Sequence, residues 1–449
     1  MRNEIKMKLK KSYRYDKNGW IYLHIEGAPY ERGFQHGYHM ARELKHIFKM
    51  LYYITYQNTG KRFAFFAEAA ERIFLPKICD EYLEELQGIC EGAYEAGYAI
   101  SLNELVAWNG YVELTEYWLP NYLGDEMQEY EKNKGNCSAF IATGDATRHN
   151  GIVMGHNTWF DFVVAQYFNV ILDLVPSEGH RIFMQSIPGY IQSFTDFFVT
   201  GAGIIGTETT ISGYDLFDSE KTPEFVRARK AMQYANTIEQ WTKIMQQDNN
   251  GAYACSWLLG DIHTKEIARF ELGLEYSSFD RKKNGYFVGF NAPEDARIRN
   301  LECSETGYND VRTNGARKVR WNQLMERNYG KIDIRKAGSM MRDHYDVYME
   351  KGNHPGERTL CGHVDEDMCQ YTGITWLEPY RPYGAVDAKI ITDTMAKELS
   401  FYARFGRSCG EPFCADKFLR EHTQWDWQRG YLHDRPSQPW TLFRAKDKS

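Results

Sequence analysis

A chain of 449 residues is too long for one small core and suits one large domain or two. Its net charge is −7, from 54 Lys plus Arg against 61 Asp plus Glu, and the one basic cluster, Lys6 to Arg14, reads as a short solvated tail, so no nucleic acid partner is expected. No apolar run reaches about 18 residues, so no transmembrane segment is expected.

The N-terminus, Met1 to Lys11, is charged and is followed by no apolar stretch. That predicts a cytoplasmic protein, or a secreted or lysosomal one if the chain is already processed. Asn18 to Gly27 alternates as a strand does. Gly27-Ala28-Pro29-Tyr30-Glu31-Arg32-Gly33 then turns into a helix through His36 to about Tyr53. Phe63 to Gly97 keeps helical spacing. Ser101, with Glu104 three residues on, caps a further helix. Residues 1–123 therefore read as a mostly helical segment. Residues 124–136 are charged and contain Gly and Asn, as an exposed linker would.

From Cys137 the pattern changes to strands. Cys137–Thr143 and Ile152–Asn157 flank a polar turn, and Tyr167–Val175 and His180–Ser186 flank a Pro-Ser-Glu-Gly turn. Gly203–Ser212 is β-branched. Glu224 to Gln247 carries one apolar stripe and predicts a single helix, ended by Asn249-Asn250-Gly251. Strands are expected again at Tyr253–Ile262, Glu266–Leu272 and Gly285–Asn291. Asn314 is expected to cap a helix over Ala316–Arg327, and Ala396–Phe405 reads as helical. Helices, then hairpins, then helices give an α+β layered fold. No P-loop, no G-x-G-x-x-G and no internal repeat occurs.

Nine scattered cysteines form no disulfide framework. The spacings among Cys361, His363 and Cys369, and between Cys409 and Cys414, fit no common zinc pattern, so neither metal nor cofactor is expected. Cys137 stands apart, at the start of a buried strand just after a linker. If the Asn136–Cys137 bond is cut, one residue carries a thiol and a free α-amine. Their ordinary pKa values, about 8.5 and about 7.7–8.0, nearly match, so nucleophile and base share one residue. The alternative is an ordinary strand cysteine.

Other candidates have competing readings. His156 and Asn157 end the partner strand; an Asn amide there could stabilise an oxyanion, and the histidine could equally be structural. Asn291 could donate to an oxyanion or cap the turn before Pro293. Thr210 lies late in its strand. Arg317 could hold an anionic group or form a surface ion pair.

Taken in order, Cys137-Ser138-Ala139, Gly155-His156-Asn157-Thr158-Trp159, Pro188-Gly189 with Asp196-Phe197, and Glu208-Thr209-Thr210-Ile211 form a pattern. It continues through Asn250-Gly251-Ala252-Tyr253, Asn291-Ala292-Pro293, Arg317, and Pro382-Tyr383-Gly384 with Asp387 and Lys389. This set resembles the phospholipase B-like family and, more distantly, the acyl-coenzyme A:6-aminopenicillanate acyltransferase group. The resemblance implies a four-layer αββα Ntn-hydrolase fold, with 137–449 as catalytic chain after cleavage at Asn136–Cys137. It implies a site of Cys137, His156, Asn157, Trp159, Thr210, Asn291 and Arg317. Tyr253-Ala254-Cys255-Ser256-Trp257 departs from the family's Tyr-Asn-Asn-Gln-Trp.

The expected function is therefore a self-cleaving cysteine hydrolase. It would act on a linear acyl-amide, peptide or acyl ester lipid through a Cys137 thioester, its two fragments staying associated. The alternatives are an acyltransferase with an amine acceptor, and a non-catalytic lipid- or peptide-binding protein on the same scaffold.

Overall fold

The computed structural model describes residues 3–124, 137–369 and 378–446. The expected linker, apart from Gly124, and the cleavage-site residue Asn136 lie outside the described residues. The chain forms two compact units that do not follow sequence order. One comprises 1–130, 167–202 and 215–253; the other comprises 131–166, 203–214 and 254–449.

The first unit pairs helices with a five-stranded sheet. Its strand order is Tyr13–Lys17, Trp20–Gly27, Val170–Pro176, Ile182–Ser186, Phe198–Thr200. Trp20–Gly27 runs parallel to Val170–Pro176, and the other pairings are antiparallel. The long helix Pro29–Thr59 packs on Asp80–Glu95. Glycine makes this approach possible. A Cβ on Gly33 would lie 2.0 Å from the Glu85 carbonyl, and one on Gly37 would lie 1.9 Å from that of Ile89. Ser101 caps its helix as expected, with Glu104 completing the box.

The expected helix 224–247 is two helices, Glu224–Tyr234 and Ile238–Gln246. Ala235 turns extended, and the Thr237 side chain accepts from the Gln240 N–H at 3.2 Å, starting a new helix. The apolar stripe continued across a break that it could not reveal.

The second unit holds two antiparallel sheets. In chain order its strands are β1 (Ser138–Thr143), β2 (Val153–Asp161), β3 (Ile204–Thr210), β4 (Cys255–Asp261), β5 (Glu266–Leu272), β6 (Ser277–Lys282), β7 (Gly285–Gly289), β8 (Tyr383–Thr392), β9 (Ser400–Phe405) and β10 (Thr441–Arg444). One sheet has the order β7-β1-β2-β8-β9-β10; within this unit the other runs β3-β4-β5-β6. The sheets face each other across small residues. Cβ atoms at Gly289 and Gly260 would come 2.6 Å from Thr209 and 3.1 Å from Ile141. On the other side of the six-stranded sheet lie helices α1 (Asn314–Arg327) and α2 (Ile334–Met341). There Trp321, Met325, Met340 and Met341 share a core with Phe140, Val153 and Ile390.

Two expectations fail in this unit, and one strand, β8, was not expected. Residues 400–405 are strand β9, not helix; Phe401, Ala403 and Phe405 alternate inward, a period of two next to a short helix Asp393–Ala396. Strand β8 was missed because Asp387 and Lys389 look unlike a central strand, yet both are fully buried. Asn314 does not cap α1. Thr313 holds the cap position without a side-chain capping bond, its hydroxyl donating back to the Asp310 carbonyl, and Asn314 is spent on Ser212, Thr306 and Arg317. Among the described residues, no helix is long and apolar enough to cross a membrane.

Candidate active site

Cys137 immediately precedes β1, which pairs Ser138 with Asn157 and Ala139 with His156. Side chains alternate along a strand. Cys137, Ala139 and Ile141 therefore point between the sheets, as do His156 and Thr158 from β2. Ser138, Asn157 and Trp159 point toward α1 and α2. The site is thus built on both faces of one sheet end.

Between the sheets, Cys137 Sγ, a His156 ring nitrogen and a Glu208 carboxylate oxygen lie within 4.8 Å of one another, all buried. One sulfur, one nitrogen and one oxygen could also hold a metal. Burial, then the Glu208 charge, push the thiol above its ordinary value; a Trp159 backbone hydrogen bond and Lys389 act the other way. Burial, then Lys389, hold His156 well below its ordinary value and thus neutral. Lys389 is paired with Asp387 and donates to Thr158 Oγ1 at 2.5 Å; Thr158 Oγ1 lies 3.4 Å from His156 Nδ1.

The backbone of Cys137 is gripped from both directions. Its N–H donates to Asn291 Oδ1 at 2.8 Å, and its carbonyl accepts from Arg317 Nη1 at 2.5 Å. Arg317 Nη1 also donates to Asn291 Oδ1 at 2.8 Å. Arginine only donates, so this bond fixes which end of the Asn291 amide is oxygen. Asn291 Nδ2 then donates to the Thr210 carbonyl at 2.8 Å. Asn291 holds a left-handed φ of 66°. The Arg317 guanidinium sits 4.9 Å from the centre of the Trp159 ring. Burial lowers Arg317 to about 10.

Cys137, His156, Trp159, Thr210, Asn291 and Arg317 thus meet in one place, Thr210 through its carbonyl. Asn157 is differently engaged. Its Nδ2 spends both hydrogens on the Met341 and Leu360 carbonyls, 2.8 Å each, leaving none for an oxyanion. Sequence reasoning gave no role to Glu208, Thr158, Asp387 or Lys389, and gave Asn314 only that of a helix cap. Glu208, Asp387 and Lys389 stood within the quoted motifs, and a charged residue in an otherwise apolar strand was the available signal.

Three comparisons bear on this site. The Phospholipase B family model matches residues 75–272, which carry Cys137, His156, Glu208 and Thr210. A phospholipase B of Crotalus adamanteus is 25% identical over 309 residues, covering 62% of this chain and 53% of that protein. Phospholipase B-like 1 of Bos taurus is 22% identical over 302 residues, covering 61% and 52%. Phospholipase B-like protein C of Dictyostelium discoideum is 24% identical over 266 residues, covering 51% and 45%. The chain spans about half the length of the curated relatives it matches. The family match over the strands that carry the thiol, and relatives from snake, cattle and slime mould, support assigning the chain to the phospholipase B-like family.

Proposed function

We propose that the chain is a cysteine hydrolase activated by its own cleavage at Asn136–Cys137. The observation that carries this reading is the treatment of the Cys137 nitrogen. It is held by Asn291 Oδ1, on a residue whose thiol lies beside His156 and Glu208. Just before β1 the buried Cys137 N–H requires a partner, and a side-chain amide that is itself fixed by Arg317 supplies it.

In maturation, Cys137 Sγ attacks the Asn136 carbonyl carbon and the peptide nitrogen leaves as the α-amine. Water then hydrolyses the thioester, releasing the Asn136 carboxylate. In turnover, the freed amine takes the thiol proton while Sγ attacks the substrate acyl carbon. The amine passes the proton to the leaving group, and a water activated by the same amine releases the acid. Asn291 and Arg317 position the Cys137 main chain throughout. The Trp159 backbone N–H, which bonds at the Cys137 thiol, would donate to the developing oxyanion.

An αββα Ntn fold accompanies this reading, supported by the helix layer of α1 and α2 and the two facing sheets. Continued association of the fragments is supported within the first unit. Strand Trp20–Gly27, from before the cut, pairs along its length with Val170–Pro176, from after it. The substrate class is a linear acyl-amide or acyl ester; the relatives' names carry the ester half of that choice.

Intact mass and a denaturing gel test the mechanism. Fragments ending at 136 and starting at 137 are expected, and Cys137→Ala should stay one chain and be inactive. An uncut yet fully active enzyme, or an active Cys137→Ala, would overturn it.

A further inference from the structure

Behind β2, on the side away from the thiol, the structure brings together two cysteines and two histidines from three separate loops. One donor atom from each of His344, Cys361, His363 and Cys409 lies within 4.8 Å of all the others. Cys361 and His363 are fully buried. We propose that these four side chains bind one zinc ion in a closed, four-coordinate structural site.

The distances fit such an ion. A tetrahedral zinc with Zn–S of about 2.3 Å and Zn–N of about 2.0–2.1 Å separates its sulfur and nitrogen ligands by about 3.5 Å. His363 Nε2 lies 3.5 Å from Cys361 Sγ and 3.6 Å from Cys409 Sγ. His344 Nε2 is a buried atom, its ring crosses that of His363 at 88° with centres 4.7 Å apart, and its side chain reaches Cys409. Two sulfurs and two imidazoles suit zinc above harder cations. Both thiols lose their protons to solvent on binding, and the metal changes no oxidation state.

The outer contacts are also those of a metal site. His363 Nδ1 meets Glu366 Oε1 at 3.0 Å, and Arg407 Nη1 holds the same oxygen at 2.8 Å. A proton on Nδ1 leaves the Nε2 lone pair facing the thiols, the usual carboxylate–histidine arrangement. The loops are already tied at their roots. Met341 O accepts from Asn157 Nδ2 and from Ser408 Oγ, and Leu360 O accepts from Asn157 Nδ2. Zinc would complete what Asn157 begins, pinning three loops behind Trp159. A Cβ on Gly362, between two ligands, would lie 2.3 Å from that indole. Sequence spacing hid the site because the two ligand cysteines, Cys361 and Cys409, lie far apart in the chain and each has a nearer cysteine that is not a ligand.

Full-length protein, made without a histidine tag and purified under reducing conditions without chelator, should contain one zinc per chain by elemental mass spectrometry. Cys409→Ser and His363→Ala should lose it and Cys414→Ser should keep it. Glu366→Gln should weaken affinity about 10–100-fold. Should the ligand variants fail to fold, exchange of wild-type zinc for cobalt gives a second measurement, with thiolate-to-cobalt absorption expected. Metal-free wild-type protein, a Cys361–Cys409 disulfide in peptide maps, zinc retained by both ligand variants, or cobalt uptake without thiolate absorption would overturn the proposal. None of these readouts depends on hydrolysis, so the site stands or falls separately from the proposed reaction.

Discussion

Buried arginines are held in two ways, one seen at Arg32 and Arg229 in the first unit and the other at Arg317 in the second. In the first unit, Arg32 Nε and Arg229 Nη2 both bond Glu85 Oε2, at 2.6 and 2.9 Å, and Arg32 Nη2 bonds Glu81 at 2.8 Å. Burial pulls Arg32 down, but Glu85 and Glu81 more than offset it and hold it above its ordinary value. In the second unit, Arg317 is bonded only to neutral groups: the Cys137 carbonyl, Ser138, Asn291 and Asn314. Burial there wins, and Arg317 falls to about 10. A buried charge with bonded counter-charges fastens a helix pair; one held by dipoles alone remains available to a developing or arriving anion.

That contrast can be broken in three places. The largest effect is expected from Glu85→Ala, which strands two buried guanidinium groups. A loss of about 3–5 kcal/mol in denaturant unfolding should follow, with turnover per folded molecule unchanged. Arg317→Gln should do the reverse, lowering kcat about 10²–10³-fold while the unfolding midpoint moves less than for Glu85→Ala. Equal stability losses in the two variants would remove the distinction.

The smallest effect concerns Glu357, whose charge reaches Arg317 without a bond. Burial, then Asp367, raise Glu357 from 4.5 to about 8, against Arg358 and Arg317. Between those values the folded chain binds the extra proton. Stability through this group therefore falls as pH rises across the window, by up to about 1.4 kcal/mol per pH unit. Glu357→Gln should flatten that slope in unfolding curves taken across the same window. An unchanged slope would place the charge elsewhere.

Much of the framework could be read from residue pattern. The β1–β2 hairpin, the 170–186 hairpin, β5 and the Ser101 cap all carry local signals, and Cys137 announced itself by position. What could not be read depended on contacts distant in sequence. Strand β8 shows why. Tyr383, Ala385, Asp387 and Lys389 are spaced by two and count as one face. A bulge between Ala385 and Asp387 pairs the first two with Asp161 and Trp159 and the last two with Thr158 and His156. Two residues therefore join the Trp159 cluster and two join the histidine. Asn157 misled for a related reason. It neighbours His156 in sequence, but strand alternation sends it to the other face, where loops claim it.

Asn291 has a left-handed φ, and its consequence is how few residues could replace it. Glycine would keep the backbone and lose both amide contacts. Leucine would match the size but strain the backbone. Aspartate tolerates the angle and could still accept from Cys137 and Arg317, yet would set a carboxylate oxygen against the Thr210 carbonyl. Position 291 thus passes residues through two independent filters, one conformational and one chemical, and asparagine alone satisfies both. In a saturation library this position should be among the least permissive in the chain, although it lies 154 residues from the thiol it serves.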